Sequence, residues 1–156
     1  MYPPGFRQSC NRVVDEGRQR LGLSMGIVSR IQDEQYEIVA VSSKTGVFVA
    51  DEAFPLKKTY CREVVETGVT LALNAIDSDS TLHNHPLYQS LPLEAYISAP
   101  ICLGGSVWGT VNFSCMKPRK TAFSIDDITY VELEAKRLAH MLESAGFGTE
   151  RVRRPH

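Results

Sequence analysis

The chain has 156 residues, is 43% hydrophobic and 22% charged, and carries a formal net charge of -1. That balance suits one soluble globular domain and gives none of the basic surplus expected of a nucleic-acid binder. No apolar run reaches the roughly 18 residues of a membrane span, and the opening Met1-Tyr2-Pro3-Pro4-Gly5 lacks the basic-then-apolar order of a secretory signal.

In chain order, residues 1–5 read as an unordered lead. Phe6, Cys10, Val13, Val14, Gly17 and Leu21 then recur at helical spacing, which predicts a helix over 6–21 closed by Gly22. Its narrow stripe, with a glycine inside it, suits close contact with another helix. Met25–Ile31 and Tyr36–Val41 read as strands joined by a short turn, an antiparallel hairpin. Residues 42–53 read as a loop with room for a short strand around Val47-Phe48-Val49.

Thr59 and Gly68 bracket a two-turn helix as N-cap and C-terminal stop. Val69–Leu73 alternates like a strand. Residues 74–93 read as a long structured loop with a short helix near Pro86–Ser90, and long loops in compact domains are often functional. Ala95–Leu103 and Val107–Phe113 flank Gly104-Gly105, a strong hairpin signal. Pro100 lacks an N–H to donate, so it belongs at an edge or a bulge. Ser124 caps a long helix with Asp126 and Asp127 in its first turn. There Ile128, Val131, Ala135, Leu138 and Leu142 form a coiled-coil-like seam, and Glu132 and Lys136 are spaced to pair. Gly146 ends the helix, and 146–156 read as a flexible tail. The order predicts an α+β domain over 6–145: an antiparallel sheet of five to six strands with terminal helices packed together.

Several stretches carry a family resemblance. Phe54-Pro55-Leu56, Thr59-Tyr60-Cys61 and Glu66-Thr67-Gly68, with His85-Pro86, Tyr88, Ala95-Tyr96-Ile97, Pro100-Ile101, Gly109-Thr110-Val111-Asn112-Phe113, Phe123 and Asp126-Asp127, resemble the GAF domains of bacterial signalling proteins. The resemblance covers about residues 6–145. It implies a PAS-related central sheet with helices on both faces, a ligand pocket between the sheet and the middle loops, and a homodimer built on the terminal helices. It also implies control of an output domain or partner, a kinase, cyclase or transcription regulator, that is not visible in this chain.

The ligand and any cofactor are unknown from the sequence. Tyr60, Cys61, Asp77, His83, His85, Tyr88, Tyr96 and Asn112 are the pocket candidates, and Trp108 is a further aromatic that suits a pocket wall. Cys61, near Lys57, Lys58 and Arg62 and at a helix start, is placed to hold a thiolate; the alternative is a small buried cysteine packed under Tyr60 and Leu56. His83 and His85, with Asp77, Asp79 or Cys61, have metal-binding chemistry but match no strong metal motif, so no metal is expected. The loop Thr81–Pro86 lacks the cysteine through which bilin-binding members usually attach their chromophore. Asn112 shares a strand face with Thr110 and Ser114, a pocket face or a solvent face. Cys102 and Cys115 read as core cysteines.

Cys10, Val13, Gly17, Ile128, Val131, Ala135, Leu138 and Leu142 are the dimer-interface candidates. No phosphate loop, dinucleotide fingerprint or hydrolase motif occurs. The expectation is a cytoplasmic regulatory domain that is not an enzyme and touches neither nucleic acid nor membrane. Two alternatives remain: a thiol redox protein using Cys61, in the manner of the free methionine sulfoxide reductases that share this fold, and a chromophore- or haem-binding photoreceptor or gas sensor.

Overall fold

Two tight turns set the register of the sheet. Asp33 and Glu34 (φ 53° and 61°) and Gly104 and Gly105 (φ 55° and 81°) both take left-handed backbone, the two-residue geometry whose twist matches paired strands. They close the hairpins β1 (Met25–Gln32) with β2 (Gln35–Ser43), and β5 (Ala95–Leu103) with β6 (Ser106–Cys115). The computed structural model describes residues 2–44, 46, 48–74 and 93–148. Short edge strands β3 (Ala53–Pro55) and β4 (Leu71–Leu73) complete a six-stranded sheet in the order β3-β2-β1-β6-β5-β4, antiparallel at every pair. The α+β sheet architecture expected from the sequence is therefore present. The short strand beyond β2 lies at 53–55, however, after the Val47–Val49 stretch. Pro100 sits at a local edge: β4 pairs only with Tyr96–Ser98, and a register shift follows at Ile101/Cys102.

Helices α1 (Phe6–Leu21) and α3 (Ile125–Ser144) lie side by side on one face of the sheet. Gly22 ends α1 in left-handed backbone, as its spacing predicts. The Ser124 hydroxyl accepts from the Asp127 amide at 3.0 Å while the Asp127 carboxylate accepts from the Ser124 amide at 2.9 Å, a reciprocal cap. On the opposite face a 3₁₀ turn (Leu56–Lys58) leads to α2 (Arg62–Thr67), shorter than the helix predicted from Thr59. Thr59 does not cap it, because its hydroxyl donates to the Leu56 carbonyl at 2.8 Å.

The main core lies between the sheet and the α1–α3 layer, and it takes up most of the residues expected at a dimer seam. Cys10, Val13, Val131, Ala135, Leu138 and Leu142 are all buried in the chain's own core, and Ile128 packs on it half-buried. Gly17 packs on the sheet: a Cβ there would overlap the Phe113 ring, as would a Cβ on Gly26. Glu132 accepts from the Thr70 hydroxyl at 2.6 Å instead of pairing with Lys136.

Both ends of the described chain are held. The Tyr2 ring packs on Phe6 and Trp108, and its hydroxyl donates to Glu37 at 2.7 Å. Phe147 packs on the core beyond α3. The unordered lead and tail thus give way to packed residues at these two positions.

Candidate functional site

Alternation along the strands sends a polar set to the face away from α1 and α3. Ser29 comes from β1, Tyr36 from β2, Tyr96 and Ser98 from β5, and Thr110, Asn112 and Ser114 from β6, with Met25, Ile27 and Ile38 as apolar neighbours. β1 and β6 are central in the sheet, so this face is covered and the polar side chains are buried. Asn112 therefore occupies a buried face, not a solvent face. Tyr60 and Cys61 roof the set from the turn before α2, each 2% exposed.

The polar atoms meet around one sulfur. Cys61 Sγ lies 2.8 Å from Tyr96 Oη, 3.4 Å from Thr110 Oγ1 and 3.7 Å from Ser98 Oγ. The Asn112 amide nitrogen reaches Tyr36 Oη at 3.0 Å, Thr110 Oγ1 at 3.2 Å and Cys61 Sγ at 3.4 Å. It has two hydrogens, so these three acceptors share them. Ser29 and Thr110 hydroxyls lie 2.6 Å apart, and the Thr110 amide donates to Ser29 Oγ at 3.2 Å. Gly109 permits this approach, because a Cβ there would overlap the Ser29 carbonyl. Tyr60 and Tyr96 rings stand 5.6 Å apart.

Among the described residues the network holds no charged side chain. Burial pushes the Cys61 thiol up, against hydrogen bonds from Thr110, Tyr96 and Ser98 that pull it down. Burial likewise raises Tyr36 and Tyr96 well above the ordinary phenol value, with Cys61 adding to both shifts. The predicted thiolate environment is thus reversed. Cys61 precedes the helix and is buried, and Arg62 pairs with Glu66 at 3.1 Å instead of facing the sulfur. The arrangement surrounds a buried thiol with hydrogen-bonding hydroxyl and amide groups.

Of the predicted pocket residues, the fold brings together Tyr60, Cys61, Tyr96 and Asn112. Asp77, Asp79, His83, His85, Tyr88 and the predicted helix at 86–90 lie outside the described residues. Trp108 is on the other face, edge-on to Phe6 at 5.7 Å. The register shift opposite Ile101/Cys102 turns it there, and Cys102 is exposed rather than in the core. Cys115 is half-buried. No group of three or more metal-ligating side chains occurs among the described residues, and no described helix is long and apolar enough to cross a membrane. Sequence reasoning missed Ser29, Tyr36 and Ser98. The available signal was the alternation of hydroxyl-bearing residues with apolar ones in β1, β2 and β5.

Comparisons with known proteins agree with this geometry. The GAF domain of a phosphoenolpyruvate-protein phosphotransferase from Acinetobacter superposes with a TM-score of 0.73 at 12% identity, covering 90% of this chain and 83% of that one. The blue-light absorbing form of the PixJ GAF domain from Thermosynechococcus elongatus gives 0.71 at 19% identity, with 94% and 90% covered. A type II free methionine-R-sulfoxide reductase from Thermoplasma acidophilum gives 0.71 at 14% identity, with 89% and 93% covered. At these identities the likeness is one of fold. No curated protein matches significantly. The family model described as GAF domain matches residues 6–143, most of the chain, and the chain therefore belongs to the GAF domain family.

Proposed function

We propose that this GAF domain is a regulatory module that senses a small, uncharged, polar molecule at the buried polar cluster beneath Tyr60 and Cys61, which opens into a binding chamber as the ligand enters, by binding and without turnover. One observation carries the reading: seven polar side chains (Ser29, Tyr36, Cys61, Tyr96, Ser98, Thr110 and Asn112) converge on one buried sheet face with no charge among them. Apolar side chains would pack this face without the desolvation cost of polar groups. Donors and acceptors that satisfy one another can exchange those partners for a ligand's. An anion would find no countercharge there among the described residues. One structural neighbour is a phycocyanobilin-bound GAF domain, a precedent within the fold for holding a small molecule.

The 3₁₀ turn and α2 would carry the response. They meet the sheet only through a few residues, and a ligand that re-pairs Cys61 or Tyr96 shifts the turn that holds Tyr60. Output to an attached domain, a partner protein or a second copy of the chain would then use the solvent faces of α1 and α3, whose apolar faces are already occupied.

Thermal melts with neutral nucleosides, sugars and amides beside their phosphorylated counterparts test the ligand class. The reading expects stabilisation by a neutral compound, none by its phosphorylated form, and loss of the effect in Asn112→Leu and in the milder Ser98→Ala. Stabilisation by the phosphorylated compounds alone, equal in wild type and variants, would overturn it.

A further inference from the structure

A second cleft, of about 460 Å³, opens at the end of the sheet where α1 hands over to β1 and β6 runs out. Its floor is apolar: Leu23, Met25 and Leu93 are buried there and Phe48 is half-buried. Two exposed cations, Lys44 after β2 and Lys117 after β6, stand on its rim, and among the described residues no carboxylate lines it. Neither lysine has an ion-pair partner among the described residues.

A further polar group lies beside the floor. Ser114 is 1% exposed, and its hydroxyl has no hydrogen-bond partner. It pairs across the strands with Met25 and so projects from the same sheet face. Buried hydroxyls are nearly always bonded, so a partnerless one next to a cleft calls for an account.

We propose that this cleft binds an anion carried on an apolar body, such as a medium-chain carboxylate, with the carboxylate between Lys44 and Lys117 and the chain over Met25, Phe48 and Leu93. The volume lies within the usual range for small-ligand sites, roughly 300–1,000 Å³. Floor and rim divide the work: apolar burial supplies affinity, and two lysines, one beyond the end of β2 and one beyond the end of β6, select for negative charge. The site is separate from the uncharged chamber and takes the opposite class of ligand, so it does not rest on the reading given above.

The four methionines make the test direct. Met25 and Met116 line the cleft, whereas Met141 packs on the α1–α3 side of the sheet. With methyl-labelled methionine, octanoate should shift the Met25 and Met116 signals and leave Met141 in place. 1-Octanol should bind roughly fivefold more weakly, and the gap should narrow as salt is raised. Lys44→Gln combined with Lys117→Gln should erase that preference, with Met141 reporting an unchanged fold. Asn112→Leu should leave octanoate binding intact, which separates this site from the chamber. Equal binding of acid and alcohol, a preference that survives loss of both lysines, or a shift of Met141 alike with Met25 would overturn the proposal.

Discussion

At the scale of single residues, the sulfur at the centre of the chamber decides what chemistry is open to it. Cys61 is 2% exposed and its thiol is raised by burial, whereas Cys102 stands in solvent on β5. Reaction with a disulfide reagent needs both thiolate and access. Native protein should therefore label first at Cys102, with Cys61 and Cys10 roughly a hundredfold slower because they wait for local opening. Peptide mapping of a labelling time course checks this, and prompt labelling of Cys61 would restore the redox reading. The sequence shows Thr59, Lys57 and Arg62 near Cys61 but not where they point. Thr59 turns to Leu56 and Arg62 to Glu66, side-chain choices invisible in spacing, and burial then raises the thiol that the sequence placed beside cations. Asn112 was legible as an anomaly within an apolar strand; its distant partners were not, because Tyr36 reaches it only through the strand order and Cys61 only through the turn before α2.

At the scale of elements, strands and helices were legible wherever local chemistry alone fixes them. Gly104-Gly105 places the β5–β6 hairpin, and Ser124 with Asp127 starts α3. The α1 stripe was legible as well, but its partner was not, since a narrow stripe with a glycine fits a helix or a sheet equally. Packing settles it in favour of Phe113, whose ring lies between Gly17 and Gly26. Gly17→Ala is therefore a contest of two effects. Helix propensity favours alanine by about 1 kcal/mol. Overpacking against a fully buried ring costs about 1–3 kcal/mol. The steric cost wins, and urea denaturation should show a net loss of about 1 kcal/mol. A gain of the full propensity term would mean that α1 is not pressed on the sheet.

At the scale of the whole molecule, buried acids of high pKa set the response to alkali. Desolvation raises Cys10 from 9.0 to about 12, and with the Glu37 bond it raises Tyr2 from 10.0 to about 12. The folded chain keeps these protons where the unfolded chain has lost them. Their contribution is thus complete below about pH 9 and is lost as pH climbs towards 12. Melting temperature should fall through that window, and a flat profile there would show that neither group is held as described. The molecule's central claim concerns the chamber, and its most direct measurement is an amide NMR spectrum recorded with the most stabilising neutral compound. The account predicts shifts centred on Ser29, Cys61, Tyr96, Ser98 and Asn112. Shifts confined to the Lys44–Lys117 cleft, or catalytic consumption of the compound that vanishes in Cys61→Ser, would contradict it.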